Sequence, residues 1–136
     1  MNLSIFYRGP LGDTQENPDA DFLRTIADRP ADYWATGGGD SCLEVHGSTE
    51  RMLFFFDEPY GFFVMMHPDY EVVVRDNGPI ETVEHCVGGE PMRVPSCSYF
   101  TRDEAYELML EFIKNESRPT SVEWRDMYEV EFDHGF

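Results

Sequence analysis

The run Met52-Leu53-Phe54-Phe55-Phe56-Asp57-Glu58-Pro59-Tyr60-Gly61-Phe62-Phe63-Val64-Met65-Met66-His67-Pro68-Asp69-Tyr70-Glu71-Val72-Val73-Val74-Arg75 decides how this chain folds. Three stretches in it, at 52–56, 62–67 and 70–75, are rich in Phe, Tyr, Val and Met, which fit a pleated and partly buried surface. Between them stand Asp57-Glu58-Pro59-Tyr60-Gly61 and Pro68-Asp69, both made of turn residues. A parallel return needs a long crossover, and these links are too short to carry one. Neighbouring strands therefore turn straight back and form an antiparallel meander.

Working outward, the third stretch ends at the turn Asp76-Asn77-Gly78-Pro79, and a weaker strand at 81–86 precedes Gly88-Gly89. Upstream, Gly37-Gly38-Gly39 is a loop leading into a strand at 42–46, and the alternating segment 3–7, closed by Gly9-Pro10, reads as an edge strand. Asn17-Pro18 opens a helix in which Phe22, Leu23 and Ile26 share a face and Asp19 and Asp21 complement the dipole; Arg29-Pro30 ends it. A stronger helix signal starts at Thr101, three residues before Glu104, the spacing of a reciprocal cap. Behind it Ala105, Leu108, Met109, Phe112 and Ile113 form one apolar stripe that must pack on something. Pro119 stops that helix, 121–124 reads as a closing strand with Val122 and Trp124 on the core side, and the alternating tail 128–136 extends the sheet. The expectation is one α+β domain over 1–136, an antiparallel meander sheet packed against two helices at about 18–28 and 102–116.

The chain of 136 residues carries 27 Asp and Glu against 10 Lys and Arg, a formal charge of −17 and a pI near 4.3. Holding a phosphate backbone requires clustered cations, and here the nine Arg and single Lys are scattered among carboxylates, so direct nucleic-acid binding is excluded and the natural partner is positive. The chain is 41% hydrophobic, enough for a folded core. No apolar run approaches the roughly 18 to 20 residues of a membrane span, and the start lacks a leader pattern, so a cytoplasmic location is expected. Cys42, Cys86 and Cys97 are odd in number and widely spaced, which fits three buried thiols better than disulfides or zinc.

Chemistry-bearing patterns are sparse. Ser41-Cys42 follows a glycine run, but no Gly-x-Ser-x-Gly elbow surrounds it. His46, His67, His85 and His134 include no pair at helical i,i+4 spacing, and His85-Cys86 would face opposite ways in a strand, so no metal site is expected. Gly37-Gly38-Gly39 lacks the Lys and Ser/Thr of a phosphate loop and is followed by Asp40. Neither catalysis nor a cofactor is indicated.

The order Gly88-Gly89-Glu90, Val94-Pro95, the capped helix with Glu104-Ala105 and Glu111-Phe112, then Arg118-Pro119 followed by Val122 and Trp124, resembles the Imm1-type family of bacterial immunity proteins. The resemblance spans about 42–124 and includes the meander. It implies an immunity-protein-like domain that neutralises a cognate secreted toxin without turnover, and many such toxins look like nucleic-acid deaminases. The charge argument converges on this: a toxin acting on DNA or RNA presents a basic groove, which an acidic protein can block by matched potential.

The toxin-binding surface expected on these grounds is the acids and aromatics of the meander turns, Asp57, Glu58, Tyr60, Asp69, Tyr70 and Asp76, with Tyr33 and Trp34 as further contacts. Trp124 is assigned to the core. A different class stays open: a small acidic α+β enzyme or ligand-binding domain with a pocket on a sheet face lined by Phe62, Met66 and Tyr70.

Overall fold

A computed structural model describes residues 4–35, 40–76, 78–87 and 90–133. The glycine loops at 37–39 and 88–89, and His134, lie outside them. The meander stands where its sequence placed it. Strands β4 (Arg51–Asp57) and β5 (Gly61–His67) pair in unbroken register from Arg51 opposite His67 to Asp57 opposite Gly61. Strand β3 (Ser41–Val45) lies on the other side of β4, and β1 (Ile5–Arg8) on the other side of β3.

Strand β1 is not an edge. Gly9 and Gly12 turn the chain back, with the Gly9 N–H donating to the Asp13 carbonyl (2.7 Å), and β2 (Thr14–Glu16) pairs along its outer side. The third meander run also differs from expectation, because β6 is only Glu71–Val72. The segment 96–100 displaces the rest: β9 (Tyr99–Phe100) takes the β5 edge at Phe62 and Phe63, and Ser98 Oγ donates to the Val73 carbonyl (2.9 Å). Room for that crossing depends on Gly61, where an added Cβ would stand 2.4 Å from the Phe100 carbonyl oxygen at a φ of +107°.

The predicted strand at 81–86 exists as β7 (Thr82–Val87), but it pairs only with β8 (Glu90–Pro95), as a hairpin separate from the sheet. No strand forms at 121–124; Trp124 Nε1 there donates to the Pro119 carbonyl (2.8 Å), and the strand is the next pair, β10 (Arg125–Asp126), on β6. Among the described residues the tail does not extend the sheet either, since Met127–Glu129 closes a 3-10 turn capped by Asp126.

Among the described residues, three α-helices complete the fold. In α1 (Ala20–Ala27) the Asp19 carboxylate accepts the Phe22 N–H (2.9 Å), which satisfies one of the free donors at the helix start. Helix α2 (Ala31–Trp34) is a single turn. In α3 (Arg102–Asn115) the reciprocal cap forms as expected, with Glu104 N–H on Thr101 Oγ1 (3.1 Å) and Thr101 N–H on Glu104 Oε1 (2.9 Å). The fold is thus the expected α+β meander packed against two principal helices. Arg102 joins them by donating to the carbonyls of Ala27 (2.7 Å) and Arg29 at the end of α1.

The sheet serves two cores. Met52, Phe54, Phe62, Val64 and Met66 pack with Leu23, Ile26, Trp34, Leu108, Met109 and Phe112 on the helix side. Phe55, Phe63, Met65 and Val72 pack with Val83, Val94, Tyr99 and Met127 on the hairpin side. Double coverage explains why β4 and β5 read as continuous apolar runs instead of alternating ones. It also fills the expected sheet-face pocket, because Phe62 and Met66 are fully buried while Tyr70 lies on an exposed turn. Of the three thiols, Cys42 and Cys97 are buried; Cys86 is exposed, opposite in direction to its neighbour His85. Among the described residues no helix is long and apolar enough to cross a membrane.

Candidate protein-binding cleft

The residues expected to form one contact surface do not lie together. Glu58 and Tyr60 sit in the turn before β5, and Asp69 and Tyr70 in the turn after it. Seven residues of strand at about 3.3 Å each separate the two turns by about 20 Å. Glu58, Tyr60, Asp69, Tyr70 and Asp76 are all exposed. Trp34 is not available to a partner: at 1% exposure it packs edge-on against Phe54 and Phe62 in the helix-side core. Tyr33, half-buried, donates to Asp13 (2.8 Å) and meets the Tyr7 hydroxyl at 2.9 Å. Burial holds the Tyr7 phenol far above its ordinary range, so it stays neutral.

Asp57 is an internal acid, not a rim acid. Its Oδ2 accepts the Tyr99 hydroxyl (2.6 Å) and its Oδ1 lies 2.8 Å from His85 Nδ1, while the His85 ring stacks on Phe55 with centroids 3.7 Å apart. These bonds tie β4, β9 and the hairpin together. Burial, with Asp57 alongside, drives the Tyr99 phenol far above its usual value. A histidine against a carboxylate is the raw material of acid-base catalysis, but His85 is buried on the sheet-facing side of the hairpin, and neither residue lines the recess of about 210 Å3 between Tyr60, Pro79, Glu81 and Ser96. Among the described residues no three His, Cys, Asp or Glu side chains converge as a metal would require.

Arg118, downstream of α3, is the densest electrostatic junction. Its guanidinium bonds Glu50 (2.5 Å), Glu71 and Asp69 (3.1 Å), so one cation joins the β3–β4 loop, β6 and the turn after β5. Partial burial works against the Arg118 charge, but the three carboxylates outweigh it and raise its pKa. Burial likewise works to raise Asp69, and the bonds from Arg118 prevail and hold it below the usual Asp range.

Six of the other eight arginines also stand against carboxylates. Arg8 pairs with Glu44 (3.2 Å), Arg24 with Asp28 (2.6 Å) and Asp103 (3.0 Å), Arg75 with Glu104, and Arg93 with Asp133 (2.9 Å). Arg51 approaches Glu44 (3.9 Å), Arg125 approaches Glu123 (3.6 Å), and Arg29 lies over the Tyr33 ring at 4.4 Å. With most arginines set against the molecule's own carboxylates, the surplus of carboxylates is what a partner meets. Glu58, Asp76, Glu107, Glu129 and Glu131 are among the exposed ones.

One concavity combines that charge with apolar surface. A cleft of about 510 Å3 opens at the β10–β6 end of the sheet, where the two cores meet. Val74, Ile80, Trp124 and Val130 line it; Trp124 packs against the helix-side core and Val130 belongs to the hairpin-side core. Asp126, Glu129 and Glu131 stand around it. At its end Asp126 pairs with Glu71, and beside them Tyr70 meets the exposed Tyr128 edge-on at 5.9 Å. None of the contact residues expected from sequence is among those that line this cleft.

Sequence reasoning missed Val74, Ile80, Glu129 and Glu131. A signal existed for the first two. Three consecutive valines place neighbours on alternate faces of an extended segment, so one face could be left uncovered, and Ile80 directly follows a Gly-Pro turn, where an apolar side chain has no strand to place it. The structure buries Val72 in one core and Val73 in the other, and leaves Val74 outside. Compared with protein-family models and with curated proteins, the chain finds no match in either.

Proposed function

We propose that this chain is a stoichiometric binding protein, an immunity protein of the Imm1 type, that neutralises a basic nucleic-acid-acting toxin, of which a deaminase is the leading case, by covering its substrate groove. The reading is carried by one observation: the chain has a formal net charge of −17, and most of its arginines stand against its own carboxylates instead of gathering into a cationic patch. Such a surface competes with a polyanionic substrate for the same cationic groove and accelerates encounter with it. The cytoplasm, where the toxin is made before export, is the place of action in this reading. No turnover is involved, and no cofactor is invoked.

The test is a titration against a basic nucleic-acid-acting toxin sought in the same locus. Inhibition should be complete at a one-to-one ratio, and the association rate should fall about tenfold or more from low to high salt, the mark of electrostatic steering. A toxin still fully active at equimolar ratio overturns the reading.

A further inference from the structure

We propose that the cleft at the β10–β6 edge receives an arginine or lysine side chain of the protein partner. This rests on the binding-protein reading above and locates where that binding is anchored. Val74 and Ile80 are 37% and 40% exposed, and scattered apolar residues at that level are ordinary. These two are not scattered. They share one concavity with the half-buried Trp124 and with Val130, in a volume within the range that binds small groups.

What surrounds the floor selects the occupant. Asp126, Glu129 and Glu131 carry negative charge, and Arg125, the cation in the lining, lies 3.6 Å from Glu123. An acidic group is repelled by this rim, and a purely apolar one would strip water from carboxylates and give them no counter-charge. A side chain with an aliphatic stem and a cationic head satisfies both layers: the stem covers Val74 and Ile80, and the head reaches the rim. Arginine gains further from stacking on the Trp124 ring, which its indole bond to the Pro119 carbonyl holds in place. Entry has to be by side chain, because the neighbouring edge strand β10 has only two residues and offers little backbone for strand addition.

The experiment is a nuclear magnetic resonance titration of the full-length protein with N-acetyl-arginine methylamide, and with its uncharged citrulline isostere. Expected are saturable shifts confined to the Val74 and Ile80 methyl groups and the Trp124 indole, with the citrulline compound weaker by about tenfold. The shifts should vanish in Glu129→Lys/Glu131→Lys, whose altered side chains are exposed and leave the fold intact. Shifts spread evenly over the acidic surface, or equal for both compounds, overturn the proposal.

The same double variant against the toxin of the functional test separates this inference from the functional one. Inhibition lost at a one-to-one ratio supports the cleft as the anchor. Undiminished inhibition overturns it and leaves the immunity reading standing. A toxin that ignores the unmodified protein overturns the immunity reading, while localised arginine binding still supports the cleft.

Discussion

Tyr99 donates its hydroxyl hydrogen to Asp57 Oδ2 across 2.6 Å, and the two residues come from β9 and β4, strands on opposite sides of β5. The same carboxylate holds His85, so a single side chain fastens the hairpin to the sheet. Removing the donor in Tyr99→Phe should lower unfolding free energy by about 1–2 kcal/mol. Asp57→Ala, which strands a buried phenol without its acceptor, should lower it by more, about 2–3 kcal/mol. Urea unfolding measures both. An Asp57→Ala variant as stable as the parent would mean that this carboxylate fastens nothing.

Arg118 faces Glu50, Asp69 and Glu71, and replacing it with Met leaves three carboxylates crowded together. The groups are partly exposed, so screening limits the loss to about 1–2 kcal/mol. High salt should restore part of it by damping the repulsion. Arg118→Lys should not rescue fully, since an ammonium cannot reproduce a planar fork that reaches three acceptors. Stability losses identical at low and high salt would show the repulsion to be irrelevant.

For Glu104, burial works to raise the carboxyl, but the Thr101 N–H and the Arg75 guanidinium prevail and hold it below the usual Glu range. A depressed folded-state pKa contributes stability above the unfolded value and loses it as pH falls through the folded one. The parent should therefore lose stability below about pH 4, and Glu104→Gln should show a shallower acid limb while still accepting the cap bond. Melting temperature against pH reads this directly. Parallel acid limbs would contradict it.

Thiol reactivity should separate one cysteine from two. Cys86 is exposed, whereas Cys42 and Cys97 are buried, and desolvation, reinforced by Glu44, pushes the Cys42 thiol up to about 11. A maleimide at neutral pH should label one thiol per native chain and three after denaturation, with Cys86→Ser removing the fast reaction. Rapid labelling of two or more native thiols would contradict the packing of β3 or of the 96–98 turn.

The antiparallel meander and the cap of α3 were legible because each is written locally: short turns between apolar runs, and a Thr three residues ahead of a Glu. Strand β8 was not, since Pro91 and Pro95 argue against a strand and only pairing with β7 makes one. Asp57 looked like a turn acid because nothing near it in sequence announces Tyr99, 42 positions away. The cleft was hidden for the same reason, as Val74, Ile80 and Glu129 come from three segments that only the tertiary fold brings together. The surplus charge, by contrast, needed no fold to be read.

A sheet enclosed on both sides has no idle positions along its central strands. In β4 and β5 each inward-pointing residue answers to the helices and each of its neighbours to the hairpin or the tail, so a change that loosens one layer cannot be relaxed by turning toward the other. Freedom to diversify is left to the borders, where turns and the rim of the cleft meet solvent. Sequence change that spares the fold is thereby steered to the margins and kept out of the middle.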